Sequence, residues 1–154
     1  MNISNKINND LILIELIKKQ LKDIPSNKRL SYDDLKRISK FLPRTIFDNN
    51  CSLWSGNVTI IKNDKKNTYV NFYYAGKKHS IHRLLYHNFI GELTESDYIK
   101  FNCENKGRCC NINHFYINDK NDKHNKISEE IKTTENFKQN KPSNNKLITV
   151  DFNI

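Results

Sequence analysis

The sequence is short of apolar residues, because only 36% of its 154 residues are hydrophobic whereas 28% are charged. The length suits one domain and leaves no room for two independent cores. We therefore expect one small core that depends on something besides apolar burial. A bound metal ion would supply that stability.

Long hydrophobic runs are also missing, so the sequence predicts no membrane-spanning segment. The first ten residues, MNISNKINND, lack the basic start and apolar stretch of a secretion signal. These two absences predict a soluble intracellular protein of the cytoplasm or nucleus. The chain has only four cysteines, and in a reducing compartment clustered cysteines favour metal binding over disulfides.

Acidic residues are the minority charge, with 17 Asp and Glu against 26 Lys and Arg, which gives a net charge of +9. The basic residues are spread along the chain rather than gathered in one tail. Such a charge attracts polyanions, and we favour nucleic acid over a membrane surface. Solubility alone is the competing explanation of the charge.

Two segments have the periodicity of packing helices. Residues 10–24 place apolar side chains at helical spacing until Pro25 stops the pattern. A second helix is predicted to begin after Ser31, with Asp34 completing a capping box and Pro43 ending the pattern. The apolar positions of the first segment are Leu13, Leu16, Ile17, Leu21 and Ile24.

Short β-type runs follow, and residues 58–61 and 69–74 are predicted strands with NDKKN and AGKK as turns. Their flanking lysines are Lys65, Lys66, Lys77 and Lys78. A basic, aromatic two-stranded ribbon suits a DNA major groove, but the same lysines also suit solvated turns, and the sequence leaves both interpretations open.

Helical periodicity returns at residues 81–90, which we expect to pack across the ribbon. A further polar helix and a flexible tail are predicted after the cysteine cluster. The strand-like ending LITVDFNI is suited to docking on this subunit or on a second one, as in a homodimer.

Three cysteines and a histidine lie in residues 101–117, FNCENKGRCCNINHFYI. Five residues separate Cys103 from Cys109 and four separate Cys109 from His114, so one loop can bring three donors to an ion. Tetrahedral zinc needs a fourth donor, and Cys51 is the obvious supplier. Cys110 is the spare cysteine, because adjacent side chains rarely face one ion. The alternative, four unrelated cysteines, fits the clustering less well than a structural zinc site.

The pattern C-x-x-W-x-G from Cys51, then AGKKHSIHRLLY, then C-x5-C-C-N-I-N-H-F resembles the HNH, or His-Me finger, endonucleases. Its likeness to the zinc-binding loop region of homing endonucleases covers roughly residues 50–125. The resemblance implies an α+β fold, a small zinc-stapled ββα domain over residues 49–127. An N-terminal helical extension, residues 1–48, would precede it and a polar tail, 128–154, would follow. It also implies cleavage of duplex DNA with a divalent ion such as Mg²⁺.

The family's general base is a histidine two residues before the first loop cysteine, and this chain has Phe101 there. Phenylalanine cannot accept a proton from water. The family also uses an asparagine on the following helix to hold magnesium, for which we favour Asn121 over Asn118 and Asn125. The resemblance thus implies zinc with weak or absent cleavage.

His82 and Arg83 match the family's HR pair. We favour helix packing and a phosphate contact for them, with His82 as a secondary catalytic candidate. The leading hypothesis is a zinc-stabilised protein that binds double-stranded DNA through Lys65, Lys66, Lys77, Lys78 and Arg83. One alternative is an active magnesium-dependent endonuclease whose base has moved to His79, His82, His87 or His124. The other is a zinc-stabilised interaction adaptor.

Overall fold

A computed structural model of the chain describes residues 3–61 and 68–117. Over these residues the fold is α+β, as predicted, with three α-helices, three two-stranded antiparallel sheets and one 3₁₀ helix. In chain order the elements are α1 (Ile3–Lys19), α2 (Tyr32–Ser39), β1 (Thr59–Ile60), β2 (Thr68–Tyr69), β3 (Asn71–Tyr74), β4 (Lys77–Ser80), α3 (Ile81–Phe89), β5 (Ile99–Phe101), the 3₁₀ helix Ile112–His114 and β6 (Phe115–Ile117).

Helix α1 is displaced along the chain from the prediction of residues 10–24, since it begins at Ile3 and ends at Lys19. Pro25 does not end it. The Leu21 amide donates to the Asn88 carbonyl oxygen at 2.9 Å, so the backbone leaves the helix to bond with α3. The apolar face also differs: Ile12 is buried, whereas Ile17 is 44% exposed. A distant partner, not local sequence, therefore sets this helix end.

Helix α2 confirms the predicted capping box. The Asp34 amide donates to Ser31 Oγ at 3.2 Å, and the Ser31 amide donates to Asp34 Oδ2 at 3.0 Å. These two hydrogen bonds satisfy backbone amides that the start of a helix otherwise leaves unpaired. Leu35 and Ile38 then face the core and are buried.

The predicted ribbon is only partly right in its pairing. Strand β1 pairs with β2, so residues 58–61 do meet the start of the predicted strand 69–74, with Thr59 opposite Tyr69. Strand β3 pairs with β4 instead, across a turn at Ala75 and Gly76 whose φ angles are 48° and 77°. Two positive φ values make a two-residue turn that matches the twist of the strands. Lys77 and Lys78 consequently belong to a strand rather than to the turn.

Side chains within residues 69–74 alternate between the two faces of the chain. Val70, Phe72 and Tyr74 are buried, whereas Tyr69 and Tyr73 are exposed. Helix α3 continues directly from β4, and the Ile81 amide donates to the Val70 carbonyl at 3.1 Å. The helix predicted at residues 81–90 is therefore present and contacts the hairpin strand.

The C-x-x-W-x-G motif has a packing role. Trp54 is 2% exposed, and its ring lies 4.9 Å from that of Phe41 and 6.4 Å from that of Phe72. Gly56 lies against the indole, because a Cβ there would be 2.6 Å from Trp54 Nε1. Only glycine fits without moving the tryptophan.

A single buried core draws side chains from both sides of the predicted boundary at residues 48 and 49. That boundary stays a prediction, and the one after residue 127 lies outside the described residues. So do the NDKKN turn, the further polar helix and the C-terminal tail. Across residues 3–61 and 68–117, no helix has the length and apolar character needed to cross a membrane.

Candidate metal centre and its surroundings

Four ligand atoms converge between the segment before β1 and the loop that joins β5 to β6. The Sγ atoms of Cys51, Cys103 and Cys109 and a ring nitrogen of His114 all lie within 4.8 Å of one another. Cys51 Sγ and Cys109 Sγ are each 3.4 Å from His114 Nδ1. A zinc tetrahedron has S···N edges of about 3.5 Å, from its usual bond lengths. The predicted four residues are thus close enough to hold a metal ion.

Cys110 does not join this group. Its side chain is fully buried in the hydrophobic core, and burial raises the pKa of its thiol. The Cys110 amide donates to the Ser52 carbonyl at 2.7 Å. The backbone therefore turns Cys109 toward the cluster and Cys110 toward the core, as expected for the spare cysteine.

Backbone pairing brings the distant Cys51 to the loop. Leu53 and Cys109 form an isolated antiparallel bridge, and the Trp54 amide donates to the Arg108 carbonyl at 3.0 Å. At the other end of the loop, the Asn102 amide donates to the His114 carbonyl at 3.1 Å and extends the β5–β6 hairpin. The ligands thus sit on two paired segments and one hairpin end.

Asn111 holds the Cys51 segment from within. Its side chain is 0% exposed, and Nδ2 donates to the carbonyl oxygens of Asp48 at 2.8 Å and Asn50 at 2.6 Å. Its Oδ1 accepts from the Asn113 amide at 2.9 Å. Asn113 adds bonds from its own Nδ2 to the carbonyls of Phe47 and Asp48.

These two asparagines were not among the predicted site residues, because asparagine is common throughout the chain. Their position between Cys110 and His114, within the ligand run C-C-N-I-N-H, was the available signal.

The orientation of His114 is fixed by a carbonyl. His114 Nε2 lies 3.2 Å from the Asn49 carbonyl oxygen, which can only accept a hydrogen bond. We therefore assign the proton to Nε2, which leaves the lone pair of Nδ1 facing the thiols. Metal-binding histidines typically have this kind of partner on the second nitrogen.

Two of the three thiols, those of Cys103 and Cys109, favour their protonated form without a metal, whereas a hydrogen bond with Asn105 lowers the pKa of Cys51. Burial raises the pKa of Cys109 to about 12 and also raises that of Cys103. A coordinated cation reverses this preference, because thiolates are the metal-binding form. Metal binding at this site would therefore release protons.

Phe101 ends strand β5 opposite Phe115 of β6. Its ring centroid lies 5.0 Å from that of His82 and 5.4 Å from that of Phe115, and the His82 and Phe115 centroids are 5.3 Å apart. All three pairs are edge-to-face, an arrangement that aromatic quadrupoles favour. Phe101, which stands where the family has its general-base histidine, is thus one of three rings in an aromatic cluster.

His82 lies behind Phe101 and is 4% exposed. Its Nε2 is 2.9 Å from the Cys109 carbonyl oxygen and so donates a hydrogen bond to a residue of the metal loop, the loop that joins β5 to β6. Burial lowers the pKa of His82 to about 4, so the ring is neutral at pH 7. These contacts fit a packing role, and the ring has almost no access to a substrate.

The remaining predicted site residues are scattered. Arg83 donates from two nitrogens to the carbonyls of Thr94 and Asp97, each at 2.7 Å, and so holds the loop after α3. Lys77 and Lys78 are exposed on β4. Lys65, Lys66 and Asn121 lie outside the described residues.

Two of the candidate relocated bases lie apart from Phe101, whereas a third, His82, packs against its ring. His79 and His87 line one cavity of about 300 Å³ together with Arg83, and Phe101 is not among its lining residues. His124 falls beyond the described part of the chain.

Comparison with known proteins finds a viral relative. No family model matches the chain, and no solved structure matches it. An uncharacterized protein, R328, of Acanthamoeba polyphaga mimivirus is 53% identical over 109 residues, which are 70% of this chain and 32% of the viral protein. The matched region therefore spans about a third of that relative.

Proposed function

We propose that the chain is a zinc-stabilised protein of the HNH, or His-Me finger, type that binds double-stranded DNA and cleaves it weakly or not at all. The observation that carries the proposal is the pairing of a Cys3His cluster with Phe101, two residues before Cys103. In this proposal β5 and β6 are the finger hairpin. The finger helix would follow residue 117, outside the described residues.

The donor set supports zinc over other common ions. Three thiols and an imidazole are soft and borderline donors, which suit zinc, whereas magnesium prefers oxygen ligands. Four protein donors complete a tetrahedron and leave no position for a reacting water. The ion would therefore stabilise the fold rather than act on a substrate.

The surroundings of Phe101 support weak cleavage. Hydrolysis of a phosphodiester needs a base within hydrogen-bond reach of the attacking water. Phe101 offers none, and the neighbouring His82 is buried with Nε2 bonded to a carbonyl. Loss of a positioned base alone typically costs about 10²- to 10⁴-fold in rate.

Duplex binding is supported by charge on a rigid hairpin. Tyr73 and Lys78 are cross-strand partners, so an exposed aromatic ring and a lysine share the outer face of β3–β4. Arg37 lies over the Phe72 ring at 4.4 Å, and with Lys40 it lines the pocket next to this face. Basic side chains held on a fixed surface suit contacts to DNA phosphates.

A salt titration of duplex binding tests the proposal. The zinc-loaded chain should shift a random-sequence duplex at low salt, and the affinity should fall steeply as salt increases. Changing Lys77 and Lys78 to glutamine should weaken binding on every sequence and lower the salt slope by about 1 for each phosphate that is no longer neutralised. Adding Lys65→Gln and Lys66→Gln should weaken it further.

The matched control is a Lys6→Gln, Lys18→Gln double variant, which removes the same charge from exposed positions of α1. An equal loss of affinity in this control would show that only net charge matters and that the β3–β4 hairpin is not part of the DNA interface. The absence of any shift at low salt would favour an interaction adaptor instead. Robust magnesium-dependent nicking of plasmid by the wild-type chain would contradict weak cleavage and show that another residue serves as base.

A further inference from the structure

An open groove of about 880 Å³ lies between β1–β2 and β5–β6, and neither the metal centre nor the hairpin lysines account for it. Its volume lies in the range of about 300–1,000 Å³ typical of ligand sites. The lining side chains that bear on its chemistry are Tyr69, Tyr98, Phe101, Tyr116, Lys100 and Lys106.

Strand register puts Tyr98 and Tyr116 on one face, whereas Phe101 lies on the opposite face of β5. Lys100 of β5 is the direct partner of Tyr116 of β6, so these two side chains share a face. Tyr98 precedes Lys100 by two residues and falls on the same side of an extended chain. Tyr98 is 76% exposed and Tyr116 is 44% exposed. Large aromatic rings left in water on one surface mark a binding site.

The charge of the groove points to an anion. Its described lining residues include two lysines and no carboxylate. A ligand that offers aromatic faces and negative charge together would match both the tyrosines and the lysines. Nucleotides have that combination, with a base to stack and a phosphate to neutralise.

One wall of the groove is fixed by a close backbone contact. Gly107 has a φ of 74°, and a Cβ there would lie 1.7 Å from the Thr68 carbonyl oxygen. The metal loop is therefore seated against β2, next to Lys106. The binding surface is pre-formed, which lowers the entropy lost on binding.

We propose that this groove binds an unpaired stretch of single-stranded DNA, with bases stacked on Tyr98 and Tyr116 and phosphates beside Lys100 and Lys106. Bases inside a duplex are already stacked on each other, so their faces are unavailable to tyrosines. The choice of DNA over RNA rests on the proposed function, whereas the stacking of bases on the tyrosines rests on the groove residues alone.

Fluorescence anisotropy with a labelled oligothymidylate and the zinc-loaded chain tests this site. The double variant Tyr98→Ala, Tyr116→Ala should bind about 5- to 150-fold more weakly for each stacked base that is lost, since stacking one base contributes about 1–3 kcal/mol. Tyr98→Phe with Tyr116→Phe should bind like wild type, because the rings remain. Tyr32→Ala, at a 57% exposed tyrosine of α2 outside the groove, is the control and should have no effect.

The outcomes separate the two proposals. The Tyr98→Ala, Tyr116→Ala variant should still bind zinc and duplex DNA. The Lys77→Gln, Lys78→Gln variant should lose affinity for the duplex and keep its affinity for the oligothymidylate. No binding of the oligonucleotide by wild type, or equal binding by the alanine variant, would overturn the groove site. Tighter binding of oligouridylate than of oligothymidylate would overturn its assignment to DNA. A wild-type chain that binds the oligothymidylate but not the duplex would refute the proposed function and leave the groove site standing.

Discussion

Asn111→Ala is the sharpest test of how the fold builds the metal centre. The side chain is fully buried and makes short bonds to two carbonyls, of Asp48 and Asn50, and to the Asn113 amide. These bonds hold the segment before Cys51, which supplies a ligand from 52 positions before Cys103. Alanine removes these bonds, together with a longer one from Nδ2 to Asp48 Oδ1 at 3.3 Å, and leaves a small cavity.

The expected cost follows from those bonds. Three hydrogen bonds at about 1 kcal/mol each give about 3 kcal/mol. The Asp48 carbonyl keeps a bond from Asn113 Nδ2 at 3.0 Å, which lowers the cost to about 2–3 kcal/mol. Because Cys51 loses its support, zinc affinity should also fall by about 10- to 100-fold, as for other partners that orient ligands.

Urea unfolding of the zinc-loaded variants and competition with a chromophoric zinc chelator measure the two effects. Asn113→Ala is the matched control: it removes bonds from an exposed side chain and should cost about 1 kcal/mol with little change in zinc affinity. If Asn111→Ala loses stability but binds zinc like wild type, the side chain does not position Cys51. Unchanged stability would refute the hydrogen-bond argument altogether.

Four further substitutions test three separate parts of the structure. Cys109→Ser should abolish zinc binding and unfold or aggregate the chain. Cys110→Ser should keep one zinc and lower the free energy of unfolding by only about 1–2 kcal/mol, because it changes the core. If metal analysis finds zinc on the Cys109→Ser chain and none on the Cys110→Ser chain, Cys110 is the ligand and Cys109 the spare cysteine. Phe101→His should raise magnesium-dependent plasmid nicking if Asn121 holds the metal, and a silent variant would indicate that the metal position is lost as well. Gly107→Ala should lower the free energy of unfolding by at least about 2 kcal/mol, because a Cβ meets the Thr68 carbonyl at a positive φ, and unaltered urea unfolding would contradict that close approach.

The metal cluster was predictable because ligand chemistry restricts the choice of residues. Few residue types bind zinc, and the spacing of Cys103, Cys109 and His114 lets one loop supply three of them. The capping box at Ser31 was predictable for a similar reason, since both of its bonds are local. Short-range chemistry leaves a signature in the sequence.

Features that depend on distant partners were not predictable. Helix α1 ends at Lys19 because residue 21 bonds to Asn88, which no local pattern reveals. The role of Asn111 likewise appears only when residues 48 and 50 are placed beside it. The β3–β4 hairpin was missed for a local reason: the predicted AGKK turn uses only Ala75 and Gly76, and alanine seldom adopts the positive φ that such a turn requires.

Native mass spectrometry of the chain, purified without chelators, shows whether the Cys3His cluster holds zinc. We expect one zinc ion on each wild-type chain and none on the Cys109→Ser variant. A wild-type chain with no zinc, or a Cys109→Ser chain that keeps its full complement, would contradict a structural zinc site.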